Sequence, residues 1–183
     1  MWTDIPPIAF FRKRAYAKQL LAATEQIAST KNTDPEVYVR EAGLLFDASD
    51  TEQKEACMKF SDHLEAKRIR TTCLSYVKET EHADMMIIPV YTKKDVRWTR
   101  VPIGEKVSEF INTKFDILFT TSHATSAHQK YITAASQALI KVGPSRSHTE
   151  HLDIVIDISD EEPLATFFER AESIINSLCP VES

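Results

Sequence analysis

Asp47 stands at the end of the apolar run Ala42-Gly43-Leu44-Leu45-Phe46 and is followed by Ser49 and Asp50. Thr120, Thr121, Ser122 and His123 follow a second apolar run, and Asp157, Ser159 and Asp160 follow a third. Carboxylates and hydroxyls just past strand ends are the groups with which an open α/β sheet holds a polar ligand. Asp47, Ser49, Thr121, Ser122 and Asp157 are therefore the candidates for a site that binds or turns over a phosphorylated metabolite. A second kind of chemistry comes from basic residues set among aromatics. Phe10, Phe11, Arg12, Lys13 and Arg14 form one such segment, and Lys93, Lys94, Arg97 and Trp98 form another. Lysine and arginine attract phosphate, while exposed rings stack or anchor, so either segment suits an anionic or protein partner.

Leu44-Leu45-Phe46-Asp47 resembles the strand and nucleophilic Asp of haloacid-dehalogenase phosphotransferases. In that scheme Lys130 or Lys141 would neutralise phosphate and Asp157 or Asp160 would hold magnesium. That family places a second Asp two positions on, where this chain has Ser49, so the general acid is missing. The pairs His123/His128 and His148/His151 lack Cys partners or an HExxH pattern, and no metal is expected. Ser122 and His123 are adjacent, a poor geometry for a nucleophile and its base, and no catalytic residue is assigned.

Glycine usage excludes whole classes of nucleotide enzyme. The chain has three glycines, where average usage of about 7% would give on the order of a dozen. Gly43, Gly104 and Gly143 are too far apart to form a Walker A loop, a dinucleotide fingerprint or a Gly-x-Ser-x-Gly elbow. No cofactor is expected.

These residues must be positioned by an alternation of strands and helices. A helix is predicted over Ile8 to Ser29, with Tyr16, Leu20, Ala23 and Ile27 on one face. Ser29 to Pro35 reads as a linker, so residues 1–35 form a basic helical extension and 36–183 the domain proper. Strands are predicted over Val37 to Phe46, Ile69 to Val77, Asp84 to Tyr91, Phe115 to Thr121, Ile140 to Gly143 and Leu152 to Ile158. Between them, Ser49 as N-cap with Glu52 three positions on opens a helix to about Lys67. Further helices are expected over Glu105 to Asn112, Ala127 to Leu139 and from Pro163 onward, with Thr92 to Pro102 irregular. Continuous apolar strands alternating with helices predict a single Rossmann-like α/β domain with a mostly parallel sheet covered on both faces.

Net charge is −5 and no stretch is long and apolar enough to predict a membrane span. Cys57, Cys73 and Cys179 are scattered among apolar neighbours, which predicts free thiols and a cytoplasmic setting. The segments Gly43 to Ser49, Lys94-Asp95 with Trp98, Phe115 to Leu118, Ala135 to Ala138, Lys141 to Gly143 and Asp153 to Asp157 together resemble an uncharacterised Bacteroidota family of small Rossmann-like proteins with a basic N-terminal segment. That resemblance implies a bacterial cytoplasmic protein and no established activity. Phe115 to Gly143 also resembles part of one Rossmann half of heptosyltransferase-like glycosyltransferases, without the second half that makes their cleft. The leading expectation is a non-enzymatic interaction module that docks through its basic N-terminal helix on RNA, a ribonucleoprotein, a membrane surface or a protein. The alternative is the strand-end metabolite site.

Overall fold

Ala42 to Phe46 is apolar without alternation, and all of it except Gly43 belongs to the buried core. Such a strand needs cover on both faces, which a parallel sheet between two helix layers provides. The computed structural model describes residues 6–28, 39–78, 87–121, 126–145, 147, 149–159 and 161–178, without the side chains of 6–11, 14, 25–28, 177 and 178. Its elements are α1 (Pro6–Ala28), β1 (Glu41–Asp47), α2 (Thr51–Ala66), β2 (Arg70–Val77), β3 (Val90–Thr92), α3 (Glu105–Asn112), β4 (Ile117–Thr120), α4 (Ala127–Ala135), β5 (Ile140–Pro144), β6 (Ile154–Ile156) and α5 (Leu164–Leu178). The strands form one sheet in the order β3-β2-β1-β4-β5-β6, parallel throughout. This is the strand order of the dinucleotide-binding Rossmann fold, and the predicted fold class is observed.

Side-chain alternation along β1 divides the core. Leu44 and Phe46 join Phe60, Leu64, Phe119 and Phe167 beneath α2 and α5. Leu45 joins Leu74, Phe110, Phe115 and Ile132 beneath α3 and α4. Gly43 lies where the Phe115 ring crosses β1, and a Cβ there would meet Phe115 Cδ2 at 2.8 Å. Its role is close approach rather than backbone freedom.

Several expected boundaries shift. Asp50, not Ser49, is the N-cap of α2, and its carboxylate accepts from the N–H groups of Glu52 and Gln53. Ser49 Oγ instead accepts from Lys78 N at 2.8 Å, across from the end of β2. The strand expected from Asp84 is only Val90–Thr92 among the described residues, since Ile87 and Ile88 form a bend with Ile87 fully exposed. The expected helix to Leu139 stops at Ala135, where Ser136 turns extended at φ −61° and ψ 139°. Within the segment expected to be irregular, Lys93–Asp95 forms a 3-10 turn closed by a Thr92/Asp95 capping box.

The N-terminal helix lies against α4. Tyr16 Oη donates to the Ala127 carbonyl at 2.7 Å, and Tyr16, Leu20 and Ala23 are half-buried, the face expected from their spacing. The linker reading falls on residues 29–35, outside the described residues. Among the described residues, no helix is long and apolar enough to cross a membrane. Cys57 and Cys73 are free and buried, and burial pushes Cys73 up to about 11.

Candidate ligand site at the switch point of the sheet

From β1 the chain winds to β2 and β3 on one side, then crosses to β4, β5 and β6 on the other. The carboxyl ends of β1 and β4 thus flank the crevice where open α/β sheets bind ligands. A cavity of about 530 Å³ opens there, lined by Asp47, Asp50, Gln53, Arg100, Ser126, Ala127, His128 and Gln129. Its size falls in the range of small-molecule sites, roughly 300–1,000 Å³.

One wall is built by the turn after β1. Gln53 Oε1 accepts from Asp47 N at 2.8 Å and from Thr121 Oγ1 at 3.0 Å, so α2 ties the two strand ends together. Asp47 Oδ1 accepts from Ser49 N at 2.9 Å. Because Asp50 caps α2 with its own carboxylate, the N-terminal amides that this fold commonly offers to phosphate are already engaged.

The opposite wall is the first turn of α4. Its N-cap, Ser126, makes no side-chain capping bond, and its carbonyl accepts the first intrahelical bond from Lys130 N. Helix geometry gives the N–H groups of Ala127, His128 and Gln129 no intrahelical acceptor. Gln129 is 1% exposed, and its Nε2 has no hydrogen-bond partner. At the other end of α4 the buried Lys141 donates from Nζ to the Ala134 carbonyl at 3.1 Å. A cation there complements the helix dipole, and the partial positive charge at the N-terminus faces the cavity.

His128 is held on three sides. Its Nδ1 lies 2.9 Å from Tyr91 Oη, its Nε2 lies 3.2 Å from Ser126 Oγ, and its ring packs at a tilt of 40° against Tyr76 with centroids 4.4 Å apart. Burial first, then Asp47 and Tyr76, raises Tyr91 well above the ordinary phenol value, so it keeps its proton. A buried phenol O–H needs an acceptor, and Nδ1 is the one within reach. Tyr91 therefore donates to Nδ1, and Nε2–H donates to Ser126. We expect ¹⁵N NMR to find the Nε2–H tautomer in the wild-type protein and a mixture in Tyr91→Phe. That variant should also lose about 1 kcal/mol of stability. A wild-type Nδ1–H tautomer would contradict this arrangement.

Arg100 reaches the cavity from the β3–α3 connection. Arg97 N donates to Val101 O and Arg100 N to Arg97 O, forming a tight reversal above the Val96–Pro102 bridge. At its tip Arg100 has φ 68°, a left-handed conformation rare for a side chain of this size. Tyr16 is close by: burial and Tyr131 push its hydroxyl up to about 12, while Arg100 pulls it down.

The structure therefore brings Asp47 and Thr121 together and leaves other expected site residues elsewhere. Ser49 is engaged with Lys78. Asp157 is exposed beyond β6, the edge strand, two strands from β4, and its carbonyl accepts from Arg170. Ser122 lies outside the described residues, as do the side chains of Phe10, Phe11 and Arg14. Lys141 sits at the far end of α4, and Lys130 pairs with Glu150, so neither serves the strand-end site as a free cation. Lys93, Lys94, Arg97 and Trp98 are exposed on the surface after β3; Arg12 is half-buried and Lys13 exposed. Among the described residues, no three His, Cys, Asp or Glu side chains cluster as a metal would require. Arg100, Ser126, His128 and Gln129 were not assigned to this crevice by sequence reasoning. The available signal was Gln129 itself, a polar residue one helical turn from the buried Ile132 and Thr133.

A family model matches residues 10–178 of the chain. The protein belongs to DUF6913, a family of unknown function. No curated protein and no solved structure matches it. The DUF6913 match covers every element of the sheet and both walls of the cavity.

Proposed function

We propose that this DUF6913 protein binds a small, hydroxylated metabolite in the crevice between the ends of β1 and β4, as a metabolite-binding protein or a small enzyme. The observation that carries the reading is the polarity of the cavity. Carboxylates of Asp47 and Asp50 line it from one side, and Arg100 with the α4 first turn from the other. Such walls suit a ligand with hydroxyls at one end and acceptor atoms at the other. A bacterial, cytoplasmic setting, implied by the sequence resemblance, belongs to the same reading.

Thermal-shift measurements against a panel of sugars and sugar phosphates test it. At least one compound should raise the melting temperature saturably, and Asp47→Asn should change that response. A flat response from every compound would remove the proposal.

Docking onto an anionic or protein partner is the second reading. It is favoured by Trp98, 63% exposed beside the exposed Lys93, Lys94 and Arg97. Ligand effects confined to those residues would select it over the crevice.

A further inference from the structure

Between β3 and α3 the chain makes a small hairpin outside the main sheet. Ile103 N donates to Asp95 O at 2.7 Å and Arg97 N to Val101 O at 2.9 Å, on either side of the Val96–Pro102 bridge. Arg100 N closes the tip on Arg97 O at 2.8 Å, and the left-handed Arg100 completes a three-residue loop of the kind that joins such legs. The legs are anchored, since Val101 is buried and Val96 packs on the core cluster of Leu45, Leu74 and Tyr91. What this frame holds out is Trp98, whose exposed ring the fold itself does not use. The charge around it is one-sided. Four bases and one acid lie between Lys93 and Pro102, in a chain of net charge −5. Lys93, Lys94, Arg97 and Arg100 are exposed, and among the described residues none of them forms an ion pair. The one acid, Asp95, is engaged with Thr92, accepting from its backbone N and its Oγ1 in the capping box.

Resting on the second reading above, docking at Trp98, we propose that this hairpin binds single-stranded nucleic acid. A base stacks on Trp98, and Lys93, Lys94 and Arg97 hold the phosphates on either side. Arg100 lines the neighbouring crevice, so the proposal uses only the three cations before it and is independent of the metabolite reading. The make-up of the patch decides among anionic partners. A protein interface centres on a contiguous apolar patch from which lysine is depleted. Here the ring stands among cations, Thr99 beside it is buried, and the other exposed apolar residue of the hairpin, Ile103, lies at its base. A membrane-surface element lays a whole apolar helix face into the lipid, and a hairpin with one exposed ring at its tip has no such face. A single strand carries a phosphate and an open π-face at every nucleotide, which matches one ring set among unpaired cations. A duplex offers the same phosphates with its base faces stacked inside, so the hairpin should prefer the single strand.

Four probes of the full chain test the assignment. Fluorescence anisotropy follows a labelled oligouridylate, its duplex with oligoadenylate, and labelled polyglutamate as a stand-in for an acidic protein. Co-sedimentation follows vesicles of phosphatidylserine and phosphatidylcholine. The single strand should bind saturably and more tightly than the duplex, with an affinity that falls as salt rises. Trp98→Ala should weaken that binding about fivefold or more, with melting temperature and salt dependence unchanged, and Trp98→Phe should restore most of the loss. Lys93→Ala combined with Lys94→Ala should instead lower the slope of log affinity against log salt by about 1.4. Equal affinity for single strand and duplex, with no effect of Trp98→Ala, would overturn the proposal. Binding confined to the vesicles or to polyglutamate would also overturn it and leave the docking reading standing. Silence from all four probes would remove both.

Discussion

Arg100→Gly is expected to abolish most of the response to a sugar phosphate in the crevice while leaving the melting temperature unchanged or higher. Arg100 occupies the left-handed region at φ 68°, which glycine adopts without steric cost. Relief of that conformation is worth about 1 kcal/mol. In a chain of this size that corresponds to about 2–4 °C, less whatever packing the arginine stem provides. The guanidinium is the cationic side chain lining the crevice, and losing its charge-assisted bonds should weaken sugar-phosphate binding about 10–100-fold. Arg100→Lys keeps the charge but not the planar fork, so its affinity should fall between the two. The two readouts should move in opposite directions. Fluorimetry with and without the sugar phosphate measures both in one experiment. An Arg100→Gly protein that melts several degrees lower and binds the sugar phosphate normally would mean that the turn is structural.

Phe60→Ala should be among the most destabilising single substitutions in the core. Phe60 stacks on Phe168 with ring centroids 4.3 Å apart and meets Phe119 edge-on at 5.1 Å. Phe168 in turn contacts Phe167 at 5.1 Å. The rings join α2, α5 and β4 on the sheet face opposite α3 and α4, so alanine would open a cavity where three elements meet. Truncation of a buried phenylalanine costs about 3–5 kcal/mol. The melting temperature should fall by roughly 10 °C. Phe60→Leu, which retains most of the volume, should cost about a third as much. Chemical denaturation checks both, and a loss below about 1 kcal/mol for Phe60→Ala would show that the cluster contributes little.

Sequence reasoning recovered the parts of the fold governed by local pattern. Ala42 to Phe46 reads as a doubly buried strand because neither face tolerates a polar residue, and the alternation of such runs with helices yields the parallel sheet. It failed where a long-range partner decided between equal local options. Ser49 and Asp50 are both good N-caps, and the choice is made by Lys78 N, which occupies the serine hydroxyl from 29 residues away. Ile87 and Ile88 have high strand propensity, but pairing with β2 begins only at Val90, opposite Ser75. The site divides the same way. Asp47 and Thr121 were legible because strand ends are legible. Arg100 is one of several bases between β3 and α3, and the Arg97–Arg100 reversal brings it to the crevice. Gln129 carries no motif; its meaning comes from being buried with an unpartnered nitrogen beside an uncapped helix start.

The crevice between the carboxyl ends of β1 and β4 is the proposed binding site for a small hydroxylated metabolite. Titration of ¹⁵N-labelled protein with ribose 5-phosphate, followed through backbone amide and arginine side-chain resonances, tests it most directly. Saturable shifts should fall on the residues that line the crevice, among them Asp47, Asp50, Gln53, Ala127 and the Arg100 guanidinium. An absence of saturable shifts, or shifts confined to Lys93, Lys94, Arg97 and Trp98, would contradict it.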